Sequence, residues 1–230
     1  MLDAKRLLDQ FLGGQANVPG VGSSLGGIGG GALAGGLVAL LLGTKTGRNL
    51  GGSALKLGGL AAVGALAYKA YSNWQASQAA TASGGTPNTA SQPMLAPPSG
   101  TPFNPASEAG QQKLARMLLR AMIAATKADG HIDEQERARL LGEMDRLNLA
   151  ADDKVFVTDE LQAKLDIDAV AGAATTQEEA SEIYAASLLA IDVDNAAERG
   201  YLTMLAARLN LDDSLVAHLH QSVASATDKA

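Results

Sequence analysis

From Glu108 to the C-terminus the chain has no proline, and one pattern is written there twice. Glu136-Arg137 is followed by Arg146-Leu147-Asn148-Leu149 and then by Asp152-Asp153. Glu198-Arg199 is followed, at the same offset, by Arg208-Leu209-Asn210-Leu211 and then by Asp212-Asp213. An acidic turn precedes each copy, Asp129-Gly130-His131-Ile132-Asp133 in the first and Asp192-Val193-Asp194-Asn195 in the second. Duplication of this kind restricts the region to two related units that bury their apolar faces against one another.

The period of the apolar residues says that these units are helical. Leu114, Met117, Leu118, Ala121, Met122 and Ala125 share one stripe, and Leu140, Leu141, Met144 and Leu147 share the next. A third helix is expected over about Asp152 to Leu165, with Val155, Phe156 and Leu161 as its apolar positions, and another turn or two over Asp166 to Ala173. Thr175 or Thr176, with Glu178 or Glu179 three residues on, reads as a capping box that opens a further helix. Its buried positions should include Ile183, Tyr184, Ser187, Leu188 and Ile191. Two more helices are expected, about Ala196 to Leu209 and Asp213 to Ala226. His218 and His220, two residues apart, project to different sides of the last one and read as surface residues.

The front of the chain is different. Met1 to Leu12 reads as a short amphipathic helix with Leu2, Leu7, Leu8, Phe11 and Leu12 on one face. It lacks the pattern of a cleaved signal peptide. Val21 to Gly43 is nearly free of charge, ends in Leu37-Val38-Ala39-Leu40-Leu41-Leu42, and is long enough to cross a bilayer with some tilt. Its glycines recur every fourth residue, at Gly22, Gly26 and Gly30 and at Gly27, Gly31 and Gly35. Such spacing lets a second helix approach closely within a membrane, whereas in a water-exposed helix each glycine costs about 1 kcal/mol against alanine. A second apolar run, Leu57 to Ala67, ends in Tyr68, Lys69, Tyr71 and Trp74. The aromatics lie three residues apart, the stripe expected of a helix end at headgroup level. The two runs together suggest a membrane hairpin. With two spans the acidic domain lies outside; with one span it is cytoplasmic, the side preferred here.

Residues 76–107 are expected to be a Pro/Ser/Thr-rich linker. Gln75 to Ser107 carries no charge and holds every proline except Pro19, so it has little to offset its ordering entropy. A short helical continuation to about Ala82 precedes the tether. The organisation is therefore 1–75 membrane anchor, 76–107 linker and 108–230 helical domain.

Charge follows the same division. Within residues 1–75, Lys5, Arg6, Lys45, Arg48, Lys56 and Lys69 face only Asp3 and Asp9, so the back of the chain carries more than the whole net charge of −6. A basic, apolar front suits an anionic membrane surface. An acidic back excludes the basic face that nucleic acid requires. With Cys 0, disulfides, thiolate metal sites and cysteine catalysis are excluded.

Ala128-Asp129-Gly130-His131-Ile132 through Glu136 contains D-G-x-I-x-x-x-E, the second half of an EF-hand loop. The first half fails, since Ala125 and Lys127 stand where the first and third ligands belong. The stretch resembles instead the A-D-G-x-I-x-x-x-E turn of TerB-like domains, known from tellurite-resistance proteins and membrane-anchored DnaJ-type chaperones. With its glycine-rich front, the whole chain is similar to the YebE-like bacterial inner-membrane family of unknown function. The fold class expected is all-α: an N-terminal Gly-rich membrane helix or helical hairpin, then a TerB-like bundle of two related three-helix units. The resemblance implies metal ligands at Asp129, Asp133, Glu136, Asp192, Asp194 and Glu198. Hard carboxylates of this kind suit Ca²⁺, Mg²⁺ or Mn²⁺. In the second turn Val193 replaces glycine and the spacing to Glu198 is shorter. The competing reading makes Asp133 and Asp194 helix caps, with Glu136 completing a box or facing the helix dipole.

No G-x-S-x-G, H-E-x-x-H or G-x-x-x-x-G-K motif is present, and a non-enzymatic module is expected. Its partners would be membrane lipid, a second copy through the Gly-rich helices, and an unidentified protein, with no nucleic acid. The alternatives are a soluble adaptor whose apolar N-terminus binds a protein, and a metal-dependent hydrolase, which would need an open coordination position and a base.

Overall fold

A computed structural model describes residues 2–12, 59–82, 96–128, 150–191, 193 and 196–227. The described residues form eight helices and no strand: α1 (Ala4–Phe11), α2 (Gly59–Ala82), α3 (Glu108–Thr126), α4 (Ala151–Gln162), α5 (Ile167–Ala171), α6 (Gln177–Ala190), α7 (Ala196–Arg208) and α8 (Asp213–Thr227). The all-helical expectation holds for them. The helix expected over Arg137 to Leu147, and the glycine-spaced run Val21 to Gly43, lie outside the described residues.

Helix α6 is the axis of the bundle. Every residue from Ala180 to Ala190 is buried, because α2, α3, α7 and α8 all pack on it. Small residues on several sides (Ala180, Ser181, Ala185, Ala186 and Ala190) allow that surround, and a helix apolar all round belongs in a core. All five positions expected to be buried here are so. The capping box forms across both threonines. Thr176 Oγ1 accepts the Glu179 amide (3.2 Å), while Glu179 Oε2 accepts from the Thr175 amide and hydroxyl, each at 2.7 Å. Those bonds and the paired Lys113 ammonium hold the Glu179 carboxyl below its usual range against the opposing effect of burial, which is the largest single influence on it.

In its second copy, Arg208-Leu209-Asn210-Leu211, the repeated pattern is a helix stop. At the end of α7, Asn210 adopts φ 50°. The Leu211 amide reaches back to the Ala206 carbonyl (3.0 Å) and the Asn210 amide to Ala207 (3.2 Å). This is a Schellman closure, in which asparagine tolerates the left-handed position and the flanking leucines bury. Asp212 then caps α8, its Oδ1 accepting the Ser214 amide at 2.8 Å.

Three differences from the sequence expectations concern the front and the linker. First, the second apolar run, described from Gly59 on, packs within the helical body. It is the first half of α2, and Leu60, Val63, Leu66, Ala67 and Ala70 are core residues packed on α6 and α8. Tyr68 and Tyr71 pack on Phe103 with ring centroids 5.5 and 5.7 Å apart, and the Trp74 indole donates to Ser214 Oγ at 2.9 Å, so the stripe covers protein. Among the described residues no helix is long and apolar enough to cross a membrane. The expected boundary at residue 75 falls inside α2.

Second, α1 docks on α3 and α2, with Leu7 and Leu8 fully buried. Asp3 ties it down: its amide donates to Asp153 Oδ1 (3.0 Å), and its Oδ1 accepts from Gln112 Nε2 (2.9 Å) and from the Arg6 amide (3.0 Å). The Gln112 bond chiefly holds the Asp3 carboxyl below its usual range.

Third, part of the linker folds. Its helical continuation ends at Ala82, as expected, but residues 96–107 form a tight turn. The Gly100 amide bonds the Asn104 carbonyl (2.8 Å), Asn104 Nδ2 bonds the Pro97 carbonyl (3.1 Å), and Phe103 is buried against the tyrosines. Phe103 supplies the apolar burial that the composition of the segment hides.

In α4 the buried positions are Asp153 and Val157, whereas Val155 is 58% exposed. The side that α4 turns inward is chosen by α3 and by the Asp3 amide, neither of which its own weak periodicity encodes.

Candidate functional site

Of the six carboxylates the resemblance implies, Asp129, Asp133, Glu136, Asp192 and Asp194 lie outside the described residues. Glu198 stands in the first turn of α7. Among the described residues no group of three or more His, Asp or Glu side chains is placed to hold a metal ion.

The structure does describe the approach to the first acidic turn. Helix α3 ends at Thr126, and Lys127 turns its ammonium onto the last carbonyls of α4, at Glu160 and Ala163, both at 2.7 Å. Burial lowers the Lys127 pKa, and the nearby Glu160 opposes that. Arg120 is held by Glu160, with Nε at 2.8 Å from Oε1. These residues line an open cleft of about 410 Å³ together with Asp159, Lys164 and Asp166. Its central cations serve to close α4 onto α3.

A second polar feature lies on α6, inside the core. Glu182 is 0% exposed, and neither carboxyl oxygen has a hydrogen-bond partner among the described residues. It faces Gly64 of α2. A β-carbon on Gly64 would stand 2.6 Å from the Phe103 carbonyl oxygen and 3.4 Å from Glu182 Oε1. The bare face of Gly64 therefore admits both groups to one small space. Burial is the main cause raising the Glu182 pKa well above the usual carboxylate range, and Glu179 and Glu178 add to it. A buried carboxyl without a partner is held as the neutral acid, since its ionised form would lose hydration with nothing in return.

Two tyrosines add further polar groups to this core. Tyr184 OH lies 2.9 Å from His220 Nε2, so His220 is a half-buried partner and not the surface residue expected. Burial pushes the imidazole below its usual pKa and pushes the Tyr184 phenol up to about 12. Tyr201, also pushed up to about 12 by burial, lies 3.4 Å from Ser187 Oγ, which donates to the Ala121 carbonyl at 3.4 Å.

Sequence reasoning missed Glu182. The available signal was a lone acid inside Ala180-Ser181-Glu182-Ile183-Tyr184-Ala185-Ala186-Ser187-Leu188-Leu189-Ala190, a stretch with no other charge and no side suited to solvent.

A relative from Yersinia enterocolitica, described as an uncharacterized protein in the ampR 5' region, is 29% identical over 112 residues, spanning 49% of this chain and 80% of its own length. No solved structure matches. The family described as "Protein of unknown function (DUF533)" matches residues 27–223, nearly the whole of the helical body and much of the glycine-rich front, and the chain belongs to that TerB-like family.

Proposed function

We propose that this protein is a membrane-anchored, non-enzymatic TerB-like module of the YebE-like inner-membrane type, whose glycine-rich segment enters the bilayer and returns while the helical body stays on the cytoplasmic face. The observation that carries the reading is the meeting of α1 with the start of α2. A β-carbon on Gly59 would lie 2.5 Å from the Leu8 carbonyl oxygen, and the Leu60 amide donates to Asp9 Oδ1 at 3.3 Å. The start of α2 thus lies against α1, so the described residues on either side of residues 13–58 belong to neighbouring helices of one body.

A segment anchored at both ends to one body has to return to the face it left. A single crossing by Val21–Gly43 would oblige residues 44–58 to recross with Lys45, Arg48 and Lys56, each costing about 2.5–3.5 kcal/mol at the membrane centre. Insertion and return within the apolar run avoids that cost. It leaves the three cations at the surface beside the body, the side on which positive flanks belong. The body would then present its surfaces to a protein partner, and the acidic turns at Asp129, Asp133, Glu136, Asp192, Asp194 and Glu198 would hold a divalent cation.

The cysteine-free chain lends itself to a topology test. Single cysteines replacing Lys5, Lys45 and Ser107 are probed in sealed inner-membrane vesicles with an impermeant maleimide. All three should react from the cytoplasmic side, and the chain should leave the membrane only with detergent. Labelling of Lys45→Cys from the opposite side to Ser107→Cys would refute the reading. Recovery in the soluble fraction would favour the adaptor. Calorimetric titration of the full chain with Ca²⁺, Mg²⁺ and Mn²⁺, beside an Asp129→Ala, Glu136→Ala variant, tests the cation separately.

A further inference from the structure

We propose that Glu182 is a proton-operated latch: as the neutral acid it donates to the Phe103 carbonyl across the bare face of Gly64 and so straps α2 between α6 and the 96–107 turn, and loss of that proton frees α2.

Three observations on geometry carry this. Both Glu182 oxygens are buried without a hydrogen-bond partner among the described residues. The polar atom that converges with Oε1 on Gly64 is a carbonyl oxygen, an acceptor. A carboxylate facing a carbonyl oxygen gains nothing from it, whereas a carboxylic acid carries the donor the pair needs. Gly64, finally, is the one residue type that leaves this space open, because any β-carbon there would collide with the Phe103 carbonyl.

The surrounding charges oppose ionisation. On α6 itself Glu178 and Glu179 both disfavour a negative Glu182. From α2 comes Tyr71, whose phenol burial and Glu178 both raise. From α3 comes Lys113, which is taken up by Glu179 at 3.1 Å. Residues 96–107 contribute no ionisable side chain. From α8, His220 is bonded to Tyr184. Thus, among the described residues, no cation is supplied to Glu182, and its deprotonation is coupled to exposure.

The latch acts on α2, the helix at which residues 13–58 rejoin the body. It stands independently of whether that segment enters a membrane, since its test reads only the body.

The test is hydrogen exchange of the full chain, in detergent, at a series of pH values, comparing the wild type with Glu182→Gln. After correction for intrinsic exchange, the opening constant of residues 59–82 in the wild type should rise about ten-fold per pH unit, starting near the ordinary carboxyl pKa of about 4.3 and ending when the buried acid has titrated. Glutamine keeps an N–H donor and cannot ionise, so in Glu182→Gln the same amides should stay closed across the range. Parallel profiles in the two proteins would overturn the proposal. So would a Glu182→Gln variant whose α2 is open at every pH, since an ionised carboxylate would then be what holds the helix. If that variant does not fold, infrared spectroscopy of the wild type with ¹³C-labelled glutamate carboxyl groups decides. A protonated carboxyl band at neutral pH is expected, and its absence would overturn the latch.

Discussion

Leu8→Ala asks whether the N-terminal helix belongs to the folded body or to a membrane surface. Leu8 is 0% exposed, its backbone lies against Gly59, and its helix packs on both α3 and α2. Removing a fully buried leucine side chain leaves a cavity and typically costs about 2–5 kcal/mol. Helix α1 has only eight residues, so it can undock. The loss therefore saturates at the free energy with which Ala4, Leu7, Leu8 and Leu12 hold it in place. A cost of about 3 kcal/mol is expected for Leu8→Ala, with Leu7→Ala, Leu8→Ala together costing less than twice that once α1 has come away. For a chain of this size, about 3 kcal/mol corresponds to a fall in Tm of roughly 6–12 °C. The assay is thermal or urea unfolding of the full chain in detergent, followed by helical circular dichroism. Lys5→Ala, which removes a partly exposed ion pair with Asp9 and a weak charge interaction with Asp3, serves as the control and should change stability by under about 1 kcal/mol. An unchanged unfolding curve for Leu8→Ala, accompanied by weaker membrane association, would refute the docking of α1 and return it to the bilayer surface.

Two further outcomes are expected. Burial depresses the His220 pKa in the folded protein, so its contribution to stability is present above the unfolded value of about 6.5 and is lost as pH falls through the folded value; unfolding curves from pH 7.5 to 5 should show an acid-side loss that His220→Gln lessens. Asn210→Ala places a β-carbon residue without a helpful amide at φ 50° and should cost about 1–2 kcal/mol, while Asn210→Gly should be neutral or stabilising; an equal penalty for Asn148→Ala in chemical denaturation would show that the first copy of the repeat stops its helix in the same way.

The capping residues show why so much of the helical plan could be read without coordinates. Thr176, Asp166 and Asp212 cap with bonds reaching two or three residues along the chain, and Asn210 stops α7 within one turn. Interactions that short are written in consecutive letters. The α3 stripe was equally legible, and all six residues expected on it are buried, although α1, α4 and α6 all pack on this helix and bury residues beyond the stripe. Val155 and Val157 mark the limit. Both are apolar, and only the position of α3 and α1 decides which of them turns inward.

The chain's local chemistry by itself determined an all-helical fold for the described residues, the starts and stops of several of their helices, and an uncharged proline-bearing stretch between two compositions. Long-range packing alone decided the rest. An apolar run such as Leu57–Ala67 has the same transfer preference for lipid and for a protein core, since both simply exclude water, so only the availability of α6 and α8 assigns it to the bundle. Phe103 appears as a lone aromatic among prolines until Tyr68 and Tyr71 are set beside it. Glu182 shows the same dependence most sharply: burial without a hydrogen-bond partner among the described residues raises its pKa, and that surround leaves no mark in the order of the residues.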